Sequence, residues 1–107
     1  VGNTLDRIKV LAAEGHVLVS DHAYEELIED GILPTEVIDG VQEAVAIEDY
    51  PEAFKGPSVL TLQSDKSGRP VHAVWGIPKS RADEAVLVTA YRPDPTRWSD
   101  DFRSRKL

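Results

Sequence analysis

The chain has 107 residues, of which 41% are hydrophobic and 29% charged, the profile of one folded domain rather than of a disordered or two-domain protein. No apolar run approaches the ~20 residues of a membrane helix, the first residues lack a basic-then-apolar leader, and the absence of cysteine excludes disulfides and thiolate metal sites and fits a reducing cytoplasm. The net charge of −7 is unevenly placed, with 3 Lys/Arg against 13 Asp/Glu in residues 1–56 and 9 against 6 in residues 57–107, so nucleic acid is repelled by the front of the chain and tolerated by the back.

"NTLDRIKVLAAEG" sets Leu5, Ile8, Leu11 and Ala12 at helical spacing, with Asn3 or Thr4 to cap the start and Gly15 to end it. "HVLVS" is a short β-branched run that either pairs at a sheet edge or crosses to the next helix. "SDHAYEELIEDG" is a second helix, with Ser20 as its N-cap, Asp21 favourable in the first turn, Ala23, Leu27 and Ile28 facing inward, and Gly31 closing it. Pro34 opens a third, "PTEVIDGVQEA", whose Val37, Ile38 and Val41 point to the core. Four strand-like runs follow: "AVAIEDY", "SVLTLQS", "PVHAVWGI" and "AVLVTAYR". The short links "DKSGRP" and "PKSRADE" favour an antiparallel meander, because a parallel crossover needs a dozen or more residues. The expected architecture is therefore an α+β domain over residues 1–107, with N-terminal helices packed on one face of a four-stranded, mainly antiparallel sheet.

Strand alternation sorts side chains by face. Val71, Ala73 and Trp75 share one side, and His72, Val74 and Gly76 the other. In the last run, Val86, Val88 and Ala90 oppose Leu87, Thr89 and Tyr91. One face of the sheet goes under helices, and the second, partly polar face is available as a surface. Beyond the last strand, "YRPDPTRWSDDFRSRK" combines a proline start with two aromatics and several cations. Residues 93–107 read either as a docking tail, with Arg97, Trp98, Phe102 and Arg103 contacting a partner, or as a segment folded back on its own sheet.

Three histidines, His16, His22 and His72, show no HExxH or paired-histidine spacing, and His22 with Glu26 is the only weak helical pair, so no metal site is expected. Neither a P-loop nor a dinucleotide-binding glycine pattern is present, and no nucleophile elbow supports serine hydrolase chemistry, so no cofactor is expected either. Metal-free RNA cleavage asks for less: a base for the 2′-hydroxyl proton, an acid for the leaving oxygen and a cation for the phosphate. His72, Tyr91 and Arg92 are the candidates for that chemistry, and Arg69 and Lys79 for holding RNA. The structural alternative makes His72 a satisfied strand residue, Tyr91 an edge packer and Arg92 the partner of an acid. A non-catalytic interaction module, or a homodimer formed through strand edges, is the competing class.

The blocks "SDHAYEELIEDGI", "AIEDYPEAFKGPSVLTL", "GRPVHAVWG" and "VTAYRPDPTRWSDDFRSRK", spanning about Leu5 to Lys106, resemble a bacterial family of small domains grouped with the RelE/MqsR-like toxins and often encoded beside a zinc-finger antitoxin. That resemblance implies a compact helix-plus-meander fold, an endoribonuclease activity with or without the ribosome, and an antitoxin protein as neutralising partner. Relatives with an "HAxxRxxxR" helix carry arginines where this chain has Glu26 and Asp30, which reverses the sign of two phosphate-binding positions.

Overall fold

The computed structural model describes residues 3–106. Helix α1 (Asn3–Ala13) leads into β1 (Val17–Val19), α2 (Asp21–Glu29) and α3 (Pro34–Gly40), followed by β2 (Val45–Tyr50), β3 (Ser58–Ser64), β4 (Pro70–Gly76) and β5 (Ala85–Tyr91). Both α1 and α2 end in the same way. His16 N–H reaches back to the Leu11 carbonyl and Gly15 N–H to Ala12, and Ile32 and Gly31 repeat the pattern on Leu27 and Ile28. Each closure needs a left-handed residue, supplied by Gly15 at φ 81° and Gly31 at φ 69°.

The sheet has five strands in the order β1-β5-β4-β3-β2, which corrects the expected four. Strands β2 to β5 form the antiparallel meander that their short links favour, and β1 adds a parallel edge, pairing Val17 with Ala85 and Val19 with Leu87. Sequence reasoning left "HVLVS" between two assignments because its partner lies far along the chain and nothing local names it. The alternation in β5 is also corrected. A bulge opposite Val74 and Trp75 shifts the register, so Ala85, Leu87 and Ala90 turn inward while Val88 is exposed.

Helices cover one face. Leu5 and Ile8 of α1, Ala23 and Leu27 of α2, and Val37 of α3 pack with Val59, Val71, Ala73, Trp75 and Leu87 in a single core. A buried polar chain crosses it: Trp75 Nε1–H donates to Gln63 Oε1 at 3.2 Å, and the Gln63 amide donates to the Val37 carbonyl at 2.6 Å, tying α3 to the sheet. Among the described residues no helix is long and apolar enough to cross a membrane.

Beyond Val19, helix α2 takes over the edge of β5 that β1 leaves open. The Ser20 hydroxyl donates to the Val88 carbonyl at 2.8 Å, Glu26 accepts from the Thr89 hydroxyl and from Ala90 N–H at 3.2 Å, and Asp30 accepts from Arg92 N–H at 3.1 Å. The match is geometric. Four helical residues rise about 6 Å, and two strand residues advance about 6.7 Å, so carboxylates at i and i+4 meet alternate backbone donors of a strand. Glu26 and Asp30 thus serve here as edge caps. Glu26→Ala leaves two donors without a protein acceptor and should lower the unfolding free energy by about 1–3 kcal/mol in urea, with a smaller loss for the more exposed Asp30→Ala.

Candidate functional site

The outer face of the sheet, opposite the helices, carries His72 and Tyr91. His72 lies directly across from Tyr91 in the β4–β5 register, and Leu62 of β3 lies on its other side. The C-terminal segment folds back over this patch. Asp94 organises a turn by accepting from Thr96 N–H at 2.8 Å and from the backbone of Arg97. Trp98 and Arg105 then form an antiparallel bridge, with Ser99 N–H on the Ser104 carbonyl and Lys106 N–H on Arg97. The tip of this hairpin holds Phe102 at φ 59°, an unusual conformation for a bulky residue.

Three contacts join the hairpin to the sheet. His72 Nε2–H donates to the Phe102 carbonyl at 2.8 Å. The Trp98 indole, 4% exposed, stands edge-on to the imidazole with centroids 4.3 Å apart. Arg105 forks onto Glu48 of β2, with Nε–Oε2 at 2.9 Å and Nη2–Oε1 at 3.0 Å, while its guanidinium lies 4.7 Å over the Trp98 ring. The Tyr50 hydroxyl donates to the same Glu48 carboxylate. Because a carbonyl can only accept, His72 is the Nε2–H tautomer, and its Nδ1 is left as acceptor for the Tyr91 hydroxyl 3.4 Å away.

Electrostatics follow from these neighbours. Burial pushes His72 below the ordinary 6.5, partly opposed by its bond to the Phe102 carbonyl, so the ring is neutral at pH 7. Burial likewise raises the Tyr91 phenol. The Arg105 fork holds the Glu48 carboxyl below the usual range, with the Tyr50 hydroxyl adding to it, and the Tyr50 phenol rises in turn because it donates to that carboxylate.

The structure brings together only part of the constellation expected from sequence. His72 and Tyr91 are neighbours, but His72 is 0% exposed, covered by the hairpin. Arg92 is elsewhere: its guanidinium grips Asp65 at 2.5 Å and the Pro70 carbonyl at 3.1 Å. Burial alone would raise Asp65, but the bonds from Arg92, Ser67 and Arg69 outweigh it and hold the carboxyl far below its usual range. Arg69 and Lys79 are exposed beyond opposite ends of β4, about 20 Å apart along the strand, and do not converge on one phosphate. Trp98 packs on the chain's own sheet and Phe102 turns its carbonyl to it, whereas Arg97 and Arg103 are exposed. Sequence reasoning missed Glu48, Tyr50 and Arg105. Their one local signal was the two-residue spacing of Glu48 and Tyr50, which puts both on the same side of a strand. Among the described residues no group of three or more acidic or histidine side chains converges as a metal would require.

Two outcomes follow from this geometry. Removing the cation in Arg92→Ala leaves Asp65, 6% exposed, without its main partner. The loss should be on the order of 2 kcal/mol in urea, below that of a fully buried pair because Asp65 keeps its backbone donors. For His72, the folded state disfavours the proton, so its contribution to stability is complete above 6.5 and is lost as pH falls below that value toward the folded one. The urea midpoint should therefore fall between pH 7.5 and pH 5.5, and His72→Gln should flatten that slope; an unchanged slope would remove the imidazole as its source.

Comparison with known proteins gives one match. The model of the family described as Domain of unknown function (DUF4258) aligns with residues 19–92, which include Glu48, Tyr50, His72 and Tyr91 but not the C-terminal hairpin. No curated protein and no solved structure matches the chain. Over the greater part of its length, from the end of β1 to the end of β5, the chain belongs to the DUF4258 domain family.

Proposed function

We propose that this chain is a toxin-like component of a bacterial toxin–antitoxin pair, related in fold to the RelE/MqsR-like toxins, and that it cleaves RNA without a metal. The observation that supports this reading is the gathering of two proton-handling pairs on one sheet face with a guanidinium between them. His72 with Tyr91 sits on β4 and β5, Glu48 with Tyr50 sits on β2, and Arg105 lies over the strip between. Strands β2 and β4 are two spacings apart, about 10 Å, and Glu48 stands level with Val74, two residues along β4 from His72, so the pairs face each other diagonally across the sheet.

In the reaction the Tyr91 oxygen takes the 2′-hydroxyl proton as its own passes to neutral His72 Nδ1. The 2′-oxygen attacks phosphorus, the bond to the 5′-oxygen breaks, and the leaving oxygen takes a proton from Tyr50. The products are a 2′,3′-cyclic phosphate and a free 5′-hydroxyl, and proton exchange with water resets the two pairs. Arg105 steadies the charge gathering on the phosphoryl oxygens, the role sequence reasoning gave to Arg92 and Arg69. An antitoxin protein is the neutralising partner, and the RNA is met either free or on the ribosome.

A second reading, a non-catalytic interaction module or homodimer, draws on the part of the outer face that the hairpin leaves bare. There Val74, Gly76, Val86 and Val88 line an apolar groove of about 270 Å³, and Phe54 beside it is 89% exposed.

Incubation of the purified chain with RNA in EDTA, with and without ribosomes, separates the two. Cleavage should leave 2′,3′-cyclic phosphate ends, and Tyr91→Phe, Arg105→Ala or His72→Ala should each slow it roughly 100-fold or more. Intact RNA under both conditions, with unaffected growth on expression, would overturn the enzyme reading. A concentration-dependent dimer that Phe54→Ser abolishes would then favour the module.

A further inference from the structure

Resting on that reading, we propose that residues 97–106 form a lid closed over the His72–Tyr91 pair, and that a phosphodiester opens it by taking Arg105 from Glu48. While the hairpin is in place the imidazole is fully buried, and the strip from His72 toward Glu48, where the phosphodiester is to lie, is taken up by Trp98 and bridged by Arg105.

Apart from the Arg97 and Trp98 N–H groups on the Asp94 carbonyl, which form the turn at its base, the bonding of the hairpin separates into two sets. One set is internal: the Ser99–Ser104 and Arg97–Lys106 backbone bonds, the Trp98–Arg105 bridge, and Asp101 accepting from the Ser99 hydroxyl and from Arg103 N–H. The other set joins hairpin to sheet, and consists of the His72–Phe102 bond, the seating of Trp98 against His72 and the Arg105–Glu48 fork. Lifting the segment breaks the second set and spares the first, so it moves as a unit. The joint lies between buried Pro93 and buried Trp98, where residues 94–97 are all exposed.

Arg105 is the latch that a ligand can contest. Its guanidinium is largely in solvent, and it holds a carboxylate through the two-oxygen edge that a phosphate also presents. Arg97, Arg103, Arg105 and Lys106 outnumber Asp100 and Asp101 within the lid, in a chain whose overall charge is −7, so an anion is drawn to this segment before the rest of the surface. Transfer of Arg105 to phosphate leaves Glu48 with the Tyr50 hydroxyl as its partner, and removes the tether nearest to β2.

The test uses an oligoribonucleotide methylated at every 2′-oxygen, which binds as RNA but lacks the attacking hydroxyl. Two signals report the lid: solvent exchange of the His72 Nε2–H in the unmodified chain, by NMR, and the emission of Trp98 in a Trp75→Phe background. Saturating oligonucleotide should speed that exchange at least tenfold and shift Trp98 emission to the red, and Arg105→Ala should abolish the response. Binding seen by anisotropy with both lid signals unmoved overturns the proposal, as does an absence of binding at millimolar oligonucleotide. A lid that opens in a chain unable to cleave RNA refutes the nuclease and leaves the lid standing; cleavage with a motionless lid does the reverse.

Discussion

A neutral imidazole donating to a carbonyl holds the outer layer of this molecule in place. The His72–Phe102 bond lies at the centre of the contact between sheet and hairpin, with Trp98 packed on one side and the Arg105–Glu48 fork closing the rim. Each of these interactions is modest in water, but they meet around a ring from which solvent is excluded. There a donor left without its carbonyl incurs the full cost of desolvation. The neutral state of His72 is therefore tied to the docking of the tail, and the same group stands nearest to Tyr91.

The sheet's two sides solve different problems. Toward the helices, burial is apolar apart from Thr4, Thr61 and the Trp75–Gln63–Val37 chain, which Thr61 joins through its hydroxyl. Toward the outside, the segment from Pro93 to Lys106 is asked to cover polar residues, and it covers only the half around His72; the half around Val74 and Val88 is left open. An acidic helix completes the arrangement by closing the β5 edge with side chains where β1 ends. The negative charge of Glu26 and Asp30 is thereby turned inward to backbone donors, and the cations of the tail remain on the surface.

The ends of α1 and α2, the start of α3, the antiparallel run from β2 to β5 and the inward side of β4 were legible because each depends on neighbours within a few residues; α3 stops at Gly40, short of the expected Ala44, and gives way to a 3-10 turn at Val41–Glu43. Ser20, Gly15, Gly31 and Pro34 act through their own backbone, and Val71, Ala73 and Trp75 alternate by the pleat alone. The candidate site was half legible. The pairing of His72 with Tyr91 follows from the meander, but Glu48 and Tyr50 join them only because β2 lies two strands away on the same face, and Arg105 only because the tail returns. Arg92 stood next to Tyr91 in sequence and was grouped with it for that reason; the pleat sends it away, to Asp65.

By itself the sequence determined an α+β fold, where its first two helices stop, which side of β4 faces the core, and an excess of negative charge in its first half. Only the tertiary structure decided that "HVLVS" becomes a parallel fifth strand, that a bulge resets β5, and that the tail seals His72 while delivering Arg105 to Glu48. The division has one physical cause. Local geometry is written in caps, turns and alternation over a few residues, whereas strand partners and layer contacts are chosen by the burial and hydrogen-bond satisfaction of groups tens of residues apart.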